Sequence, residues 1–83
     1  MTEMSEGSTL RLVKNAIDEV LDESGRERSH DITSQTRLRA DLDLDSLDLA
    51  VLTVKLEAKT GVDVFLKGIV TTVGELVSRI DEQ

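Results

Sequence analysis

Three runs of apolar residues in this chain recur at the spacing of a helix. Leu10, Val13, Ile17, Val20 and Leu21 follow the i, i+3, i+4, i+7 template, with Arg11, Lys14, Asp18, Glu19 and Asp22 opposite. The spacing predicts a helix over 8–23, capped by Ser8 or Thr9 and stopped by Gly25, which adopts a left-handed conformation at little cost. A second run over 46–60 places Leu49, Leu52, Thr53, Leu56 and Thr60 on one side, toward the core, and ends at Gly61. A third, over 73–81, carries Val73, Leu76, Val77 and Ile80 on one face, behind Thr72 as cap and Glu75 as its capping-box partner. The segment "VDVF" alternates like a strand, but a lone strand has nothing to pair with. A turn and one short helical segment near 66–70 is therefore expected.

The predicted fold is all-α, a small antiparallel four-helix bundle of three main helices and a short third one. A long polar connection, 24–44, separates the first two helices. A small domain seldom carries such a length without regular structure unless the segment packs its own side chains or has a function. Ile32, Leu38 and Leu42 are its natural anchors, while Arg26, Arg28, Arg37 and Arg39 are expected to stay in water. With 83 residues there is room for one domain, over 8–81, preceded by a flexible stretch at 1–7.

Composition excludes several kinds of chemistry. There is no cysteine, so thiol nucleophiles and thiolate metal sites are out, and the one histidine, His30, lies in a polar stretch without a second ligand at a useful spacing. Phe65 is the sole aromatic residue, which leaves no stacking platform for bases or sugars. A net charge of −7 argues against nucleic acid or an anionic membrane as partner and favours a protein with a basic patch. No stretch approaches the roughly 20 apolar residues needed to span a bilayer. A cytoplasmic, acidic monomer is the expectation.

The stretch "DLDLDSLDLAVL" carries the functional question. Asp41, Asp43 and Asp45 occupy alternate positions as in a calcium loop, but Ser46 stands where such a loop needs glycine and Leu52 where it needs a bidentate glutamate. A specific metal site is not expected, and only loose divalent binding to the three carboxylates stays open. Ser46 as a hydrolytic nucleophile lacks both the G-x-S-x-G setting and a patterned base. The third reading makes Asp45 an N-cap, Asp48 the third helical residue, and Ser46 the first residue of a helix, where the positive end of the dipole suits an anionic group such as a phosphodiester. On the side of this helix away from the core lie Leu47, Val51, Val54 and Ala58, a second apolar stripe that implies either burial on two sides or a docking surface.

"DLDLDSLDLAVLTVKLEAKTGVDV" and "TTVGELVSRI" resemble the acyl carrier proteins, in which the serine of D-S-L bears 4′-phosphopantetheine. The likeness spans roughly residues 8–81 and rests on helix order, the Gly61 stop and the T-T-V-G-E-L ending together with D-S-L. It implies a carrier and not an enzyme. By that likeness a phosphopantetheinyl transferase, with coenzyme A and Mg²⁺, would attach the arm to Ser46, and acyl groups would then ride as thioesters on its thiol. The resemblance also implies that Asp45, Leu47, Asp48, Ala50, Val51 and Val54 face partner enzymes such as acyl ligases, synthases and acyltransferases; burial of that stripe against the long connection is the rival. Many fatty-acid carriers have glycine where this chain has Asp43 and an acidic residue where it has Val51, and Lys55 and Lys59 follow on the same helix. The segment "VDVFLKGIV" also lacks the usual proline and acidic run. These departures point to a polyketide, lipid-modification or other dedicated pathway instead of housekeeping fatty-acid synthesis. A peptidyl or aminoacyl carrier is the nearest alternative, and an unmodified helical interaction domain the alternative from another class.

Overall fold

The computed structural model describes residues 5–26, 31–66 and 68–82, with backbone alone at residues 5 and 6. Three helices are present among them: α1 (Ser5–Glu23), α2 (Ser46–Thr60) and α3 (Val73–Asp81). The second and third have the bounds that their periodicity predicts. The first starts three residues earlier than expected, so that residues 5–7 belong to it. Thr9 is not its cap: the hydroxyl donates instead to Asp81 Oδ1 at 2.6 Å, joining the start of α1 to the end of α3. His30 and Arg28 lie outside the described residues.

α1 is the central strut, packed against both α2 and α3. Val13, Ala16, Ile17, Val20 and Leu21 point inward from it and meet Leu52 and Leu56 of α2 and Val73, Leu76 and Val77 of α3, all buried. Removing an aliphatic side chain such as Leu52 or Leu56 from a core this small costs about 2–5 kcal/mol, most of what a domain of this size has to spare.

The long connection is folded onto this core. Ile32, Leu38, Leu42 and Leu44 are all buried, so the expected anchors hold and Leu44 joins them. The backbone turns back on itself, with Asp41 and Leu42 donating to the Arg37 carbonyl and Leu44 to that of Leu38. It is then stitched to the start of α3, where Leu38 donates to the Thr71 carbonyl and Val73 to that of Thr36, both at 2.9 Å. These bonds satisfy backbone groups that an irregular buried segment otherwise leaves unpaired.

The segment after α2 differs from the expected short helix. Residues 64–66 form a turn, and Lys67, inside the expected helix, lies outside the described residues. Val64 and Val70 are buried at its two ends, while Leu66 and Ile69 between them are exposed. Arg79 of α3 stabilises the bend, its guanidinium donating to the carbonyls of Val64 at 3.0 Å and Gly68 at 3.2 Å.

Candidate functional site

Ser46 opens α2 and is exposed. The turn that presents it is capped on both sides: Asp45 Oδ1 accepts from the Asp48 N–H at 2.9 Å, and Asp48 Oδ2 accepts from the Asp45 N–H at 3.1 Å. Reciprocal capping fixes the first helical turn and leaves the next amides at the positive end of the helix directed outward. The bond from the Asp48 N–H is the main reason that the Asp45 carboxyl is held below its ordinary value, despite some desolvation.

The two aspartates beside Ser46 have different surroundings. Asp45 is exposed, but Asp48, expected among the partner-facing residues, is only 8% exposed. Its carboxylate takes a 2.8 Å ion pair from Arg26. Arg26, expected to stay in water, is correspondingly half-buried. The pair joins residues 22 positions apart, so no local pattern could have signalled it. The remaining carboxylates of the alternating run are not gathered. Asp41 accepts from the backbone and side chain of Arg37, and Asp43 sits in left-handed backbone at φ 58°. Among the described residues no group of three or more His, Cys, Asp or Glu side chains is arranged to hold a metal ion.

Beside Ser46 runs a groove of about 370 Å³ between Ser46, Leu49 and Thr53 of α2 and Phe65, Ile69 and Val70 of the following connection. Its walls are mainly apolar, Arg39 also lines it, and Ile69 is 89% exposed at the rim. The Thr53 hydroxyl is turned away from chemistry, donating to the Leu49 carbonyl at 2.8 Å.

The outer face of α2 settles the two-sided stripe in part. Leu47 is 72% and Val54 66% exposed, and Ala50 and Ala58 are exposed too, whereas Val51 is half-buried against the core. The described residues of the long connection do not cover Leu47 or Val54. Lys55 and Lys59 are not part of this face. Lys55 pairs with Glu23 at 2.9 Å and Glu19 at 3.3 Å, and Lys59 with Glu19 at 3.6 Å, so both serve the α1–α2 contact. The bond to Glu23 holds the Lys55 ammonium above its ordinary value, and the bond from Lys55 holds Glu19 below its own. The two lysines are matched by α1 carboxylates and leave the outer face without basic charge of their own.

What this arrangement offers is one exposed hydroxyl on a rigidly capped turn, next to an apolar groove and an apolar outer face. The protein family described as "phosphopantetheine attachment site" matches residues 11–80. No curated protein matches the chain. No helix among the described residues is long and apolar enough to cross a membrane.

Proposed function

The chain belongs to the phosphopantetheine attachment family, and from that premise we propose that it is an acyl carrier protein whose prosthetic arm is attached to Ser46. Proteins of this family carry 4′-phosphopantetheine covalently and are substrates of partner enzymes, not catalysts. They work with phosphopantetheinyl transferases and synthase-type enzymes. The observation that supports Ser46 is its place as the exposed first residue of α2, on a turn held by Asp45 and Asp48. The residues fit the group. A phosphodiester at this position lies at the positive helix end, and the groove lined by Leu49, Phe65 and Ile69 runs from the same point.

The arm supplies the reactive thiol that this chain, without cysteine, does not have. Ser46 contributes the oxygen that bonds to phosphorus as the pyrophosphate of coenzyme A breaks; adenosine bisphosphate leaves and the serine proton passes to a base of the transferase. Ser46 thus needs no base of its own. Asp45 adds negative charge beside it for a basic transferase surface, while Leu47, Ala50 and Val54 present apolar contacts to ligases, synthases or acyltransferases. Asp48 leaves this recognition set, since its charge is turned inward to Arg26, and Val51 contributes only its exposed edge.

A mainly apolar groove whose lining charge is the cation Arg39 favours an alkyl or acyl cargo over an aminoacyl or peptidyl one, which would bring a charged amine. The apolar outer face, with Val51 where an acidic residue would steer basic partners, supports a dedicated polyketide or lipid-modification pathway over housekeeping fatty-acid synthesis. In the same reading one carrier domain spans 8–81 and acts as a cytoplasmic monomer. In place of a short fourth helix the described residues of the segment make only single i to i+3 steps, Leu66 donating to the Asp63 carbonyl and Gly68 to that of Phe65.

The test is intact mass after incubation with a broad-specificity phosphopantetheinyl transferase, Mg²⁺ and coenzyme A. Wild type should gain one phosphopantetheine and Ser46→Ala none. Failure of wild type with several transferases leaves the unmodified interaction domain as the reading. Loading of the modified chain by acyl ligases but not aminoacyl-adenylating ligases separates the two carrier classes.

A further inference from the structure

We propose that Arg26 is a positioning residue for the modification of Ser46; the inference rests on Ser46 as the attachment site. Arg26 follows the close of α1. Gly25, at φ 81°, donates to the Asp22 carbonyl at 3.1 Å and Arg26 donates to that of Leu21 at 2.8 Å, the paired bonds of a Schellman stop. The stop fixes where the Arg26 side chain leaves the backbone. From there its guanidinium reaches Asp48 Oδ2 at 2.8 Å. The same oxygen accepts from the Asp45 N–H at 3.1 Å, so one carboxylate atom is shared between Arg26 and the residue that precedes Ser46.

Burial makes that sharing consequential. Asp48 is the buried charged residue among those described, and a carboxylate removed from water is tolerated only when it is paired and hydrogen-bonded. Without Arg26 the Asp48 carboxylate loses its charge partner and gains by swinging toward solvent, which breaks the capping box and loosens the turn that sets the direction of Ser46 Oγ. The core residues of α2, Leu52 and Leu56, lie one and two turns further on and keep the helix as a whole in place. Arg26 therefore acts on the presentation of the serine and not on the existence of the fold.

The decisive measurement compares Arg26→Met, Arg26→Lys, Asp48→Asn and the Arg26→Met/Asp48→Asn double variant. Two quantities are read: kcat/KM for transferase modification with coenzyme A, and amide hydrogen exchange at Asp45, Asp48 and Leu49 relative to Leu52 and Leu56 in the same sample. Arg26→Met should lower kcat/KM about tenfold through kcat, leave the KM for coenzyme A unchanged, and speed exchange selectively at the first turn. Arg26→Lys should recover part of both. The double variant should be no slower than Arg26→Met, because the two residues act through one interaction. Additive losses, or a loss of rate with normal exchange at the first turn, would mean that Arg26 touches the transferase directly, and the proposal falls. Wild-type rate and wild-type exchange in Arg26→Met overturn it as well. If wild type is not modified at all, the Ser46 reading fails, and the exchange ratio still decides whether Arg26 holds the turn. Should Arg26→Met not fold, the same ratio in Arg26→Lys and Asp48→Asn decides it.

Discussion

The Gly74 N–H donates to the Ser34 carbonyl at 2.8 Å, and that same carbonyl oxygen stands 2.8 Å from the point that a Cβ on residue 74 would occupy. The connection between α1 and α2 thus lies directly on the first turn of α3. In an isolated helix, exchanging glycine for alanine gains about 1 kcal/mol. Here Gly74→Ala should lose stability by about 1–2 kcal/mol, because a backbone carbonyl, not a flexible side-chain end, must move aside. Urea unfolding decides the sign: a stabilised variant would show that the connection yields without cost.

Acid should weaken the protein through its caps. Asp45 is held below its ordinary value of 3.8 chiefly by the Asp48 N–H, and Glu75 below 4.5 by the N–H groups of Thr71 and Thr72. A carboxyl whose folded value is depressed stabilises fully above the unfolded value, and that contribution is lost as pH falls through the folded one. Melting temperature should accordingly drop as pH goes below the ordinary values of 3.8 and 4.5. Asn is as good an N-cap as Asp but does not titrate there. Asp45→Asn should therefore flatten the acid side of the profile, and an unchanged profile would remove Asp45 from this account.

Arg79 should control the groove wall. Its two bonds reach the Val64 and Gly68 carbonyls on either side of Leu66. Arg79→Met keeps the aliphatic stem and loses the donors, at a net cost of about 1 kcal/mol. Exchange at the Leu66 and Gly68 amides should quicken while the α1 amides stay protected, as read by NMR. Equal quickening throughout would show that Arg79 supports the whole bundle and not this bend.

The outer face of α2 should matter to partners and not to folding. Val54 is 66% exposed, so Val54→Asp should change stability by no more than about 0.5 kcal/mol. If this face docks the loading enzyme, the same substitution should slow acyl loading about tenfold, comparable to the loss of one central interface contact. Loading at the wild-type rate would direct the search to another surface, with exposed Ile69 the next residue to test.

The sequence by itself determined the helices and their stops. The bounds of α2 and α3, the Asp45 and Thr72 caps, Gly61 in left-handed backbone at φ 77° and Ser46 as the first residue of α2 all follow from interactions within four residues, which a linear pattern records. The loop anchors Ile32, Leu38 and Leu42 were legible for a related reason, since isolated large apolar residues in a polar stretch have only the core to go to. Tertiary structure alone decided where charge and space went. Two aspartates three apart in one helical turn, Asp45 and Asp48, differ in exposure because Arg26 arrives from the end of another helix. Lys55 and Lys59 turn from a presumed recognition face to α1 because Glu19 and Glu23 wait there. The groove beside Ser46 takes one wall from the segment before α3, where Arg79 of α3 bonds the Val64 and Gly68 carbonyls. Each of these pairs is brought together by the packing of the aliphatic core, a many-residue event that no spacing along the chain encodes.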